Sequence, residues 1–205
     1  MTRAPRWDDA DYVVIDVEGN GARPPELVEL AVVPIRAGQV GSPGTWLVRP
    51  PSPITWQARA IHGISDADVA TAPTIDQIAD DVRTVLQDAV VVGHNVHVDL
   101  DVLTRSLPGW QPLERIDTLR LARRTWRLPS YRLGALVEHR HLDAGLPAGL
   151  RPHRADYDAL VTARLLVDLA TSTAGGLTLD ALLDMGAPAR PTPNLTASPS
   201  LFDLP

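Results

Sequence analysis

The first patterned stretch of the chain, residues 12–18 (YVVIDVE), is a β-branched apolar run that ends in acids and predicts a buried strand. A turn region holding Gly19-Asn20-Gly21 and Pro24-Pro25 follows, after which residues 27–35 predict a second strand and residues 44–49 a third. Thr74 with Gln77 three positions on is a capping-box pattern. Behind it Ile75, Ile78, Ala79, Val82, Val85 and Leu86 recur at helical spacing. Residues 89–92 return to a strand pattern, and polar His94-Asn95 then leads into a helix reaching Leu107. Residues 116–126 and 154–171 read as further helices. Strands alternating with helices predict an α/β layered domain with a mixed sheet. From Gly186 the pattern stops, and Pro188, Pro191, Pro193, Pro199 and Pro205 stand among Ser, Thr and Ala. The division expected is an N-terminal extension (1–11), one folded domain (12–185) and a Pro-rich tail (186–205).

Composition narrows the possible functions. A chain of 205 residues, 44% apolar, is the size of one domain with one substantial core. No run approaches the length of a membrane span, and no apolar stretch of a signal peptide follows the first residues. The absence of cysteine removes disulfides, thiolate–zinc sites and thiol nucleophiles, and fits a cytoplasmic setting. A net charge of −6 argues against coating nucleic acid by bulk charge, but not against gripping one strand end.

Three places carry candidate chemistry. Asp16 and Glu18, two apart on a strand, leave the same face at its carboxyl end, where α/β folds place their sites. Like charges so placed repel unless a cation lies between them; an exposed charged strand end is the structural alternative. Asp99 falls in the first turn of the helix after His94-Asn95, as a ligand or as a cap of backbone donors. His153 precedes the last long helix and Asp158 lies about one turn inside it, with Asp156 as a competing carboxylate. Hard oxygen donors without cysteine favour Mg2+ or Mn2+. Two such ions about 4 Å apart clamp a phosphate, and a histidine with an ordinary pKa of about 6.5 takes a proton near neutral pH.

Asp16-Val17-Glu18, the segment His94-Asn95-Val96-His97-Val98-Asp99, and His153 with Asp158 resemble the three exonuclease motifs of the DEDDh (DnaQ-like) superfamily. Arg59-Ala60-Ile61-His62-Gly63-Ile64 resembles that family's segment that meets the terminal nucleotide, and residues 116–122 its stretch before the third motif. The resemblance covers roughly residues 12–170. It implies a ribonuclease H-like fold with a five-stranded mixed sheet, and a two-metal 3′→5′ exonuclease acting on single-stranded DNA or RNA ends. It further implies that Asp16 bridges both cations, with Glu18 and Asp158 on one, Asp99 on the other, and His153 as the base. Gly19, Ile61 and His62 would meet the substrate, and Glu29 would stand near its terminal sugar. Gly19-Asn20-Gly21 replaces the Thr-Thr-Gly of many relatives, and Val98 replaces a frequent phenylalanine.

Two further readings concern partners. Six arginines between 115 and 132, against the single acid Asp117, put Arg123 or Arg124 on a helix face with Arg120 and Arg127. With Trp126 and Tyr131 this predicts a strand-tracking groove, or else a solvated helix face above core aromatics. In the tail, Ser198-Pro199-Ser200-Leu201-Phe202 resembles a sliding-clamp-binding peptide, with Leu201 and Phe202 as its apolar pair. A hydrolase of dinucleotides or small phosphodiesters, and a non-catalytic strand-end binding module, are the competing functions.

Overall fold

The computed structural model describes residues 4–187 except 174. Strand β1 (Tyr12–Gly19) is the centre of the fold. It pairs antiparallel with β2 (Leu27–Arg36) along its whole length, and parallel with β5 (Val90–Gly93) only at Tyr12, Val13 and Val14. Strand β6 (Arg115–Asp117) lies parallel to β5 on the far side. The outer edge of β2 carries both β3 (Gln39–Val40) and β4 (Gly44–Leu47). The sheet is mixed, as expected, but has six strands rather than five, because the chain doubles back after β2 to add the two-residue β3.

Alternation along β1 divides the core. Tyr12 and Val14, with Ala31, Val33 and Ile35 of β2, pack on one face against α7 (Ala155–Thr171). Helices α5 (Thr118–Thr125), α6 (Leu133–Arg140) and α8 (Leu179–Gly186) complete that layer. On the other face Val13, Ile15, Leu30 and Val32 meet Ile78, Val82 and Leu86 of α3 (Ile75–Leu86) and Leu100 and Leu103 of α4 (His97–Ser106). The predicted capping box of α3 is formed by Thr74 and Gln77.

Residues 116–126, read from the sequence as one helix, are two elements. Ile116 and Asp117 belong to β6, where Ile116 is fully buried beside β5, and Asp117 caps α5 by accepting the Leu119 N–H at 3.0 Å. A three-residue strand is too short to show a period of two, so the helical spacing behind it absorbs it. Short α1 (Trp56–His62) and α2 (Asp66–Val69) escape the pattern for a related reason. Trp56 and Ile61 are 75% and 60% exposed while Ala58 and His62 are buried, so α1 lacks an apolar stripe.

The residues ahead of β1 are seated on the domain. The Trp7 N–H donates to the Leu177 carbonyl at 3.2 Å and the Leu179 N–H to the Pro5 carbonyl at 3.0 Å. Trp7 is 3% exposed in the core beside α7 and α8. Helix α8 ends at Gly186, and the tail expected over 186–205, Leu201 and Phe202 included, lies outside the described residues but for Gly186 and Ala187. Among the described residues no helix is long and apolar enough to cross a membrane. Truncating a large buried aromatic costs about 3–5 kcal/mol. Trp7→Ala should therefore lower the unfolding free energy by that order in urea titration; a loss under about 1 kcal/mol, the range of a surface change, would show that the segment is not part of the core.

Candidate active site

The site forms where the sheet opens. β1 has no β5 partner after Val14, so residues 15–19 project beyond the neighbouring strand. The Val17 N–H, between the two acids of β1, donates instead to the Asp99 carboxylate at 3.1 Å. Asp99 thus acts as a backbone cap, but for a strand rather than for its own helix, and is buried there. Asp16 and Glu18 share the parity of Tyr12 and Val14 and rise toward α7. Asp158, in the opening turns of α7, meets them, and oxygens of Asp16, Glu18 and Asp158 lie within 4.8 Å of one another. Asp99 stands beside this group rather than in it.

The carboxylates are under electrostatic stress. Burial, then Asp99, Asp158 and Glu18, hold Asp16 well above the usual carboxylate range. Burial, with Asp158, Glu29 and Asp99 adding to it, pushes Glu18 up to about 8. Asp99 reaches about 8, mainly by burial, against the opposing hydrogen bond from Val17. Asp158 rises to about 6 for the same first reason. Among the described residues no arginine forms an ion pair with any of these four. Clustered hard-oxygen donors that have no arginine partner and resist ionisation are what a divalent ion would relieve, so the residues fit a metal.

His153 lies on the loop before α7, exposed, with a left-handed backbone (φ 61°). Its N–H donates to the Asp158 carboxylate at 3.2 Å, which ties the histidine to the acid cluster. Asp156 turns instead to the neighbouring Tyr157 N–H and is no part of the acid group. Glu29, expected near the terminal sugar, has protein partners for its carboxylate. It is 1% exposed on β2, and its carboxylate is taken by the Arg154 guanidinium and by the Ala155 N–H at 3.0 Å. A buried charge needs such a partner, and here the pair pins the start of α7 to the sheet.

Beside Glu18 opens a cleft of about 520 Å³, lined by Gly19, Arg23, Gln57, Ile61 and His62 among others. Asn20, fully buried, shapes its wall: its carbonyl oxygen accepts the Ala22 and Glu26 N–H groups, both at 3.0 Å, and its amide donates to Glu26 at 2.9 Å. At Gly19, where β1 slips register against β2, a Cβ would come 3.1 Å from that of Pro25. His62 is buried and accepts the Ile64 N–H on Nδ1 at 3.0 Å, which places the proton of the neutral ring on Nε2. Burial lowers the pKa of the ring, against an opposing contribution from the Gly19 backbone.

A second cleft, of about 580 Å³, lies past β5 between His94, Asn95, Arg123, Tyr131 and Arg132. Arg123 sits over the Tyr131 ring, 5.8 Å from its centre. Arg124 is corrected to a fold role: its guanidinium donates to the Asp184 and Met185 carbonyls at 2.6 and 2.7 Å, at the C-terminal end of α8. Arg120 pairs with Asp117 at 3.5 Å. Trp126 packs against the core beneath Arg140 rather than offering a stacking face. The structural roles of Asn20 and Arg154 went unread in the sequence, where adjacency to Gly19-Gly21 and to His153 was their only signal.

The sequence profile of the Exonuclease family (RNase_T) matches residues 13–166. The chain is 37% identical over 172 residues to Exodeoxyribonuclease 10 of Escherichia coli K12, covering 84% of this chain and 73% of that one. It is 31% identical over 167 residues to the PolC-type DNA polymerase III of Thermotoga maritima, where the match spans 78% of this chain but only 12% of the polymerase. Among solved structures, Exonuclease X in complex with 5′ overhanging duplex DNA superposes with a TM-score of 0.71 at 36% identity, covering 85% of this chain and 99% of that one. E. coli Exonuclease I bound to a dA16 oligonucleotide, at 19% identity, shares the fold with a TM-score of 0.66, covering 81% of this chain and 41% of that one. With three carboxylates gathered at the open end of β1, the chain belongs to the exonuclease family of DEDDh-like, ribonuclease H-like nucleases.

Proposed function

We propose that the protein is a divalent-metal-dependent 3′→5′ exonuclease of DNA that releases nucleoside 5′-monophosphates. The convergence of Asp16, Glu18 and Asp158 within 4.8 Å, with His153 tied to Asp158, carries this reading. DNA is the substrate chosen because Exodeoxyribonuclease 10, at 37% identity, and the duplex-bound Exonuclease X, at 36%, are both named for it. Asp16, Glu18 and Asp158 would hold one cation, with Asp99 alongside for a second, Mg2+ or Mn2+ by the hardness of the donors. Bound there, the cations supply positive charge that offsets the phosphodiester and lowers the proton affinity of the attacking water.

The protein's own groups supply the rest. His153, exposed at the rim, accepts the proton of the attacking water, and its backbone tie to Asp158 keeps it beside the carboxylates. The cleft of Gly19, Ile61 and His62 receives the terminal nucleoside, with the phosphodiester at Glu18 on its edge. Arg123, in the cleft lined by His94, Asn95 and Tyr131, would hold phosphates of the strand still attached. A strand contact at Arg123 favours a polymer over a dinucleotide in this reading. The sliding-clamp expectation rests wholly on Leu201 and Phe202 and gains nothing from the comparisons.

Three outcomes test the reading. Activity should vanish in chelator, and Asp16→Asn should slow turnover about a thousandfold, about 4 kcal/mol of barrier. His153→Ala should cost about a hundredfold or more. Products should be 5′-monophosphates released from the 3′ end of DNA; cleavage of circular strands or undiminished activity in chelator would refute it.

The raised carboxylates make metal-free stability depend on pH. A proton-retaining carboxyl contributes stability that is complete below its unfolded pKa and lost as pH rises through the folded one. For Glu18 that window runs from 4.5 to about 8. In chelator the midpoint of thermal unfolding should fall across this range in the wild type and less so in Glu18→Gln, and Mg2+ should restore it at pH 8. A Glu18→Gln profile parallel to that of the wild type would remove Glu18 from the stressed cluster.

The arginines should separate. Arg123→Ala should raise KM for long single strands, more steeply as salt increases, and leave a dinucleotide unaffected. Arg124→Ala should leave KM alone and lower thermal stability by loosening α8. The reverse pattern would return Arg124 to the strand and Arg123 to the fold.

A further inference from the structure

His153 occupies a conformation that a residue with a side chain rarely holds by itself, and such strain persists only where the surroundings fix both flanks. On the C-terminal flank the Glu29–Arg154 pair and the Ala155 N–H do this. The N-terminal flank has a different anchor. Arg151, two residues before His153, donates from Nη2 to the His62 carbonyl at 3.3 Å, at the last turn of α1.

The contact is built from both sides. Gly63 ends α1 in a left-handed conformation (φ 77°), its N–H bonded to the Arg59 carbonyl at 2.8 Å. The positive φ at Gly63 favours glycine, and a Cβ there would lie 2.6 Å from Arg151 Nη2, so the guanidinium uses the space that this glycine leaves. A cation at the C-terminal end of a helix also meets the negative end of the helix dipole. The loop it restrains has open space at Gly145 and Gly149, both with positive φ and nothing within 4 Å of where their Cβ atoms would be, while Leu146 between them packs partly on the core. Arg164 holds the far end of this loop through the Leu142 and Ala144 carbonyls at 2.8 and 2.7 Å, and Leu150 packs partly on the core.

The residue whose carbonyl Arg151 grips is itself a wall of the cleft beside Glu18, as is Ile61 before it. We infer that Arg151 is a positioning residue that links the cleft wall at α1 to His153, so that a seated terminal nucleotide steadies the base in its strained conformation. Arg151 touches neither the carboxylates nor the reacting atoms, and it acts through His153. The inference rests on the proposed role of His153.

The test is a double-mutant cycle on single-stranded oligonucleotides with saturating Mg2+. Arg151→Ala should lower kcat by about ten- to a hundredfold, as misplacing a catalytic group by an ångström does, with KM changed less than about twofold at any salt concentration. In a His153→Ala background the same change should cost nothing further, because the path it acts through is gone. Arg151→Lys, which keeps a donor for the His62 carbonyl, should recover part of the rate. A rise in KM that grows with salt would make Arg151 a strand contact and overturn the inference, as would full additivity with His153→Ala. Arg151→Ala at the wild-type rate, with His153→Ala impaired, overturns the inference alone. His153→Ala at the wild-type rate overturns the assignment of the base and the inference with it.

Discussion

The Glu29 carboxylate, sealed on β2 against Arg154 and the Ala155 N–H, fixes where α7 begins, and the site depends on that one register. Breaking a buried charge pair strands the remaining charge, so the helix start has little freedom to slide. Two consequences follow from the same anchor. Asp158, one turn inside α7, comes down over Asp16 and Glu18, and His153, just outside it, is left exposed in a left-handed turn with its N–H on Asp158. An acid expected from the sequence to stand near the terminal sugar thus also anchors the helix that brings the other acids together.

Against that frame Asp16, Glu18, Asp99 and Asp158 are all held above the usual carboxylate range. They are gathered because β1 outruns β5 by five residues, which leaves strand edge and side chains without a neighbouring strand. Asp99 exploits the gap by accepting the Val17 N–H, so it satisfies a backbone donor and adds to the negative potential at once. Burial does most of the work of raising Asp16, Glu18, Asp99 and Asp158, and their mutual repulsion adds to it. Such a group is destabilising alone, and on the proposed reading a bound cation would offset its repulsion and so couple folding to that ion.

The arginines divide by what they reach. Arg124, Arg154 and Arg164 spend their donors on helix-end and loop carbonyls or on Glu29, and so belong to the fold. Arg123 stays exposed over Tyr131 at the mouth of a cleft. On the proposed reading, a chain with net charge −6 would meet a strand through such a local cation rather than across its surface.

Local pattern by itself determined the strands β1 and β2, the capping box of α3, the long α7, and the three motifs whose order identifies the family. These features are legible because each is written within a few neighbouring residues, as a period of two, a period of 3.6 or a pair of polar caps. Tertiary structure alone decided the rest. It turned Ile116 and Asp117 into a strand by laying them along β5, and gave α1 its exposed Trp56 and Ile61. It also committed Glu29 to Arg154 across 125 positions, Arg124 to α8 across 60, and Arg151 to the carbonyl of His62 across 89. Arginine and glutamate look alike in sequence whether they face water, substrate or a buried partner. The difference is set by which distant backbone groups packing brings within hydrogen-bond reach, and that depends on the whole fold rather than on any local spacing.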